Sequence, residues 1–73
     1  MNIFKVERIN DAKYPTTEWT RHFATREFAE QAVNEDAGQE LDWSGSIKYN
    51  RDHTFAALDA ITAYYMYEIK VEG

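Results

Sequence analysis

Residues 54–62, TFAALDAIT, decide the fold. Ala56, Ala57 and Ala60 favour a helix by propensity. No Gly or Pro stands between this stretch and the next to end such a helix. The segment that follows, AYYMYEIKVE (63–72), is the clearest strand in the chain. We therefore read 54–62 as a short strand that turns near Asp59-Ala60. In the final strand Tyr65, Tyr67, Ile69 and Val71 share one face, and Tyr64, Met66, Glu68 and Lys70 share the other. The first set is expected to line the core, which leaves Tyr64 and Met66 on the open face.

Toward the N-terminus the same period recurs. In NIFKVERI (2–9), Phe4 and Val6 face inward while Lys5 and Glu7 face out. Residues 10–17 hold Asn, Asp, two Thr and the only Pro, and read as a loop. In EWTRHFA (18–24), Trp19, Arg21 and Phe23 lie on one side and Thr20 and His22 on the other, so a second strand runs antiparallel to the first. A helix follows. Thr25 is its N-cap, Phe28, Ala29, Ala32 and Val33 form its apolar stripe, and Gly38 is its stop. Beyond Gly38 the period returns to two, with Leu41, Trp43, Ile47 and Tyr49 alternating with Asp42, Ser44, Ser46 and Lys48. Asn50-Arg51-Asp52 reads as a hairpin turn. The expected fold class is α+β, a single domain over 1–73. Its order is β-β-α-β-β-β, an antiparallel sheet of four or five strands with one helix packed on one face.

Seventy-three residues with 44% apolar content, including two Trp, five Tyr and four Phe, suit one small folded domain. The chain has no cysteine, which removes a disulfide framework, a thiolate nucleophile and any Cys-based zinc site. No segment approaches the roughly 20 apolar residues of a membrane span, and the start lacks a signal-peptide pattern. A cytoplasmic protein with no membrane partner is expected. The formal charge is −5. Glu27, Glu30, Glu35, Asp36, Glu40 and Asp42 fall in a stretch, 27–47, that contains no Lys, Arg or His. A phosphate backbone repels such a surface, so direct nucleic-acid binding is disfavoured. A basic protein groove is attracted by it.

Reactive chemistry is thin. Gly38, Gly45 and Gly73 are too scattered for a phosphate loop. His22 and His53, even with Asp52, match no ligand spacing, so no metal or cofactor is expected. The pairs Glu35-Asp36 and Glu40/Asp42 lack the pocket that would separate their pKa values. Ser44 and Ser46 lack a base and a nucleophile elbow. The chain is expected not to be an enzyme. What remains is surface. The acidic set Glu27, Glu30, Glu35, Asp36, Glu40 and Asp42, with Tyr64 and Met66 as apolar anchors, forms the expected partner-binding site. The alternative is a homodimer through a sheet edge or an exposed aromatic face. A third, weaker reading is a small-molecule binder or metal-dependent enzyme using His22 or His53.

The phrases HFATREFAEQA (22–32), LDWSG (41–45) and YMYEIKVE (65–72) together resemble a pattern of small accessory proteins from bacteriophages and other mobile elements. The likeness covers about half the chain and includes no catalytic motif. It departs at Phe28, where the family phrase carries Glu, and Phe28 is expected in the core. The resemblance implies a binding role: an inhibitor of a host nucleic-acid-processing or defence protein, in the manner of anti-CRISPR proteins and nucleic-acid mimics.

Overall fold

The computed structural model describes residues 1–10, 12–43, 45–46 and 53–71. Five strands and one helix follow in the order β1 (Asn2–Asn10), β2 (Thr16–Phe23), α1 (Arg26–Ala37), β3 (Gly45–Ser46), β4 (His53–Ala57) and β5 (Thr62–Lys70). The strands form one antiparallel sheet in the order β2-β1-β5-β4-β3. The α+β class and the β-β-α-β-β-β succession are those the sequence indicates. The TFAALDAIT stretch is strand and turn, as read: Asp59 ends β4 by accepting at Oδ1 from the N–H groups of Ile61 and Thr62, at 2.9 and 2.8 Å. That side-chain turn does the work for which a helix would need a stop signal.

Residues 41–43 are not strand, contrary to the expected strand over 41–49. Their alternation still tells which side chains go inward, since Leu41 is buried and Trp43 packs on the core. The backbone N–H of Leu41 bonds to Asn34 Oδ1 at 2.9 Å, which ties this segment to the helix end instead of to a strand. Ile47, Tyr49 and the turn at 50–52 lie outside the described residues.

The helix begins and ends at the expected residues. Thr25 is extended (φ −134°, ψ 158°), and its hydroxyl accepts from the N–H of Phe28 at 3.2 Å. Gly38 takes the left-handed conformation at φ 74°, and its N–H and that of Gln39 both bond to the Asn34 carbonyl. A side chain at Gly38 would be strained there.

The helix lies over β1 and β2. The core beneath it holds Val6, Ala29, Val33, Leu41, Ala56, Tyr64 and Met66. Register explains why Tyr64 and Met66 are in it. Across the β1–β5 pair Val6 stands opposite Met66 and Arg8 opposite Tyr64, and opposed residues share a face. Tyr64 is therefore fully buried and Met66 nearly so, at 0% and 2% exposure. This corrects the expected assignment, in which Tyr65 and Tyr67 line the core. Those two stand half-buried on the opposite face, where no second layer of described residues covers them.

Candidate protein-binding surface

The buried side of α1 runs through Ala29, Val33 and Ala37, with Arg26 and Glu30 half-buried beside it. This is the i, i+3, i+4, i+7 spacing of a helix lying on a sheet. Compared with the expected stripe, the helix is rolled toward Glu30. The roll turns Phe28 out of the core, to 61% exposure, and corrects its expected burial. Glu27, Phe28, Gln31 and Glu35 make the outer side of the helix. Gln31 donates to Glu35 at 3.5 Å. Glu40 and Asp42 extend the exposed anionic surface beyond the helix end.

Among the described residues, Glu30 and Asp36 are engaged by cations. Glu30 pairs with Arg26 at 3.4 Å, one helical turn away. Asp36 has the stronger tie. Arg8 Nη1 and the Tyr64 hydroxyl both donate to Asp36 Oδ2, each at 2.5 Å. Arg8 also donates to the Tyr64 oxygen at 3.1 Å, and Trp19 packs against the Tyr64 ring at 6.0 Å. This clasp joins β1, β2, β5 and α1. Burial pushes the Asp36 carboxyl up, but the hydrogen bonds from Tyr64 and Arg8 outweigh it and hold the pKa below the ordinary value. Burial and the neighbouring carboxylate push the Tyr64 hydroxyl up to about 12. The Asp36 hydrogen bond raises Arg8 further.

Burial corrects the two predicted anchors, since Tyr64 and Met66 are too deep to anchor another protein. Asp36 is exposed, and its carboxylate is engaged by Arg8 and Tyr64. A signal for this is present in the sequence. Arg8 shares parity with Phe4 and Val6, so it points inward. An inward cation requires an anion.

Of the six carboxylates only Glu30 is half-buried; Glu27, Glu35, Asp36, Glu40 and Asp42 are exposed. Glu27 and Glu40 have no hydrogen-bond or ion-pair partner among the described residues. An open, shallow groove of about 590 Å³ lies between Glu30 and the segment Glu40–Trp43. A second groove, of about 390 Å³, lies between the end of β2 and the outer side of α1. Its walls include Phe23, Phe28, Ala32 and Glu35.

The uncovered face of the sheet is a separate surface. Phe55 and Tyr65 pack with ring centres 6.1 Å apart. Lys5 pairs with Glu7 at 3.0 Å and lies over the Tyr67 ring at 5.0 Å. The Tyr67 hydroxyl donates to Glu7, and burial followed by that carboxylate raises its pKa. This face is aromatic and nearly charge-balanced, in contrast to the helix side.

Among the described residues no group of three or more His, Asp or Glu is placed to hold a metal, and no helix is long and apolar enough to cross a membrane. His22 is exposed on β2, while Asp52 and the His53 side chain lie outside the description. No protein-family model, curated protein or solved structure matches the chain.

Proposed function

We propose that this chain is a non-enzymatic binding module that engages a basic protein groove through the outer side of α1 and the segment after it. The observation that carries this is the pairing of exposed carboxylates at Glu27, Glu35, Glu40 and Asp42 with an exposed aromatic, Phe28. Complementary charge speeds encounter with a basic partner, and a desolvated aromatic supplies affinity. The role this supports is blockade of a host nucleic-acid-processing or defence protein, in the manner of the phage inhibitors that the sequence resembles. A bound partner would be isolated from host lysate with the full chain as bait. Its affinity for the double variant Glu27→Lys, Glu40→Lys would then be measured against salt. The expected result is an affinity loss of about tenfold or more and a flatter salt dependence. Unchanged affinity would remove the reading.

A second reading, self-association through the uncovered sheet face, has its own support in Phe55, Tyr65, Tyr67 and Ile69. Sedimentation at micromolar concentration separates the two. A dimer abolished by Tyr65→Lys favours this second reading.

A further inference from the structure

The geometry points to a strand-addition site: the free edge of β2, with the groove beside it, accepts an extended segment of the partner that carries one apolar side chain and a nearby Lys or Arg. This rests on the proposed binding role and names the form the partner takes. β2 is an outer strand of the sheet, so one side of its backbone is unpaired by any described strand. Such an edge pairs with an added strand unless something prevents it.

Two of the preventing devices, a proline and a bulge, lie at one end. Pro15 precedes the strand, and the register with β1 shifts between Arg8 and Ile9, which places a bulge at Thr17–Trp19. From Thr20 to Phe23 the pairing is regular, with Glu7, Lys5 and Phe4 opposite Thr20, His22 and Phe23. The groove lies along this regular end. Phe23, Phe28 and Ala32 give it apolar walls, and His22, Gln31 and Glu35 give it a polar rim.

The volume, about 390 Å³, is ample for one large side chain. Phe28 is the wall that would gain from being covered, since it is held outward on a helix whose neighbours there are polar. Glu35 is the charged rim residue. Arg21 does not line the groove and is stacked over the Trp19 and Phe23 rings, at 5.7 and 5.2 Å. In an added strand, residues two apart share a face. An apolar residue on Phe28 thus brings the residue two positions away to the height of the rim, where Glu35 favours a cation.

The test is a random octapeptide display library selected on the full-length chain. Enriched peptides are then synthesised with a fluorophore and titrated by anisotropy. The expected peptides carry an aliphatic or aromatic residue two positions from Lys or Arg. Phe28→Ala weakens them by about tenfold, as loss of a buried aromatic contact does. Methylation of alternate peptide-backbone nitrogens weakens them by about tenfold as well, as loss of strand hydrogen bonds does. Glu35→Lys shifts the preference from Lys to Glu, and amide shifts concentrate at Thr20–Ala24.

Failure to enrich any peptide overturns the inference, as does binding indifferent both to Phe28→Ala and to backbone methylation. Neither Glu27 nor Glu40 lines this groove. A host partner that still responds to their reversal while no peptide binds therefore leaves the acidic-surface reading intact and removes this one. Peptides that bind the β2 edge while the partner ignores those reversals support the strand-addition site and remove the acidic-surface reading.

Discussion

The two faces of β5 carry nearly the same chemistry and meet opposite fates. Tyr64 and Met66 are buried, while Tyr65 and Tyr67, their immediate neighbours, are half-exposed. By apolar content the second face is the richer, because it continues into Ile69 and Val71 while the first continues into Glu68 and Lys70. Apolar content did not decide which side was covered. The single helix covers only part of the sheet, so the side that matters is the one opposite Val6 and Arg8. Glu68 stands beyond that region, where Asn2 donates to it at 2.7 Å. Tyr64 also has what a buried phenol requires, an acceptor at Asp36.

This comparison breaks most directly at adjacent tyrosines. Tyr64→Ala should cost about 3–5 kcal/mol, enough to unfold most of so small a domain in water. Tyr65→Ala, on the uncovered face, should cost about 1 kcal/mol or less beyond its contact with Phe55. Urea melts followed by circular dichroism would measure both, and equal costs would contradict the face assignment. Met66→Ala should fall nearer the larger value, at about 2–4 kcal/mol.

A smaller effect separates the anions of the helix. Asp36→Asn weakens the clasp to Arg8 and Tyr64, and should cost about 1–3 kcal/mol near neutral pH. Its pH dependence has a definite sign. Because the folded carboxyl titrates below its unfolded value, Asp36 stabilises fully above about pH 4 and loses that contribution as pH falls further. The acid limb of stability should be shallower in Asp36→Asn. A residual slope is expected from Asp59, whose carboxyl the N–H groups of Ile61 and Thr62 also hold low. At the alkaline end, Tyr64 stays protonated to about 12 while an unfolded tyrosine ionises near 10, so stability falls across that interval. The Tyr64→Phe variant should show a shallower decline while keeping the ring in the core, the remainder coming from Tyr67, whose hydroxyl burial and Glu7 also hold high. Phe28→Ala, at an outward position, should change stability by no more than about 0.5 kcal/mol. A larger loss would mean that Phe28 supports the fold and does not serve as a contact.

The local signals were the legible part. Thr25 and Gly38 mark the helix ends because capping depends only on nearby backbone and one side chain or a missing one. The strand and turn of TFAALDAIT were legible for a similar reason, since a strand that turns at Asp59 could reach Tyr64 without a helix stop. The roll of α1 was harder to read. Phe28, Ala29, Ala32 and Val33 make a plausible stripe, but Arg26 and Glu30 flank the stripe that is buried. Long polar side chains can lie along the edge of a helix interface with their charged ends outward, so their presence does not exclude that side. In the sequence the six carboxylates are equivalent. Only their neighbours in space distinguish Asp36 from Glu27, and Arg8 is 28 residues away from Asp36 in the chain.

By itself the amino-acid order determined the helix and its caps, the succession of elements and the concentration of anions after Arg26. Periodicity and caps act over a few residues, and charge is a matter of composition. Tertiary structure decided which face of β5 is core, which side of α1 faces outward and which carboxylate Arg8 and Tyr64 engage. Each of these is a choice between nearly equal local alternatives, and it is settled by strand register and by the one layer of helix available to cover the sheet.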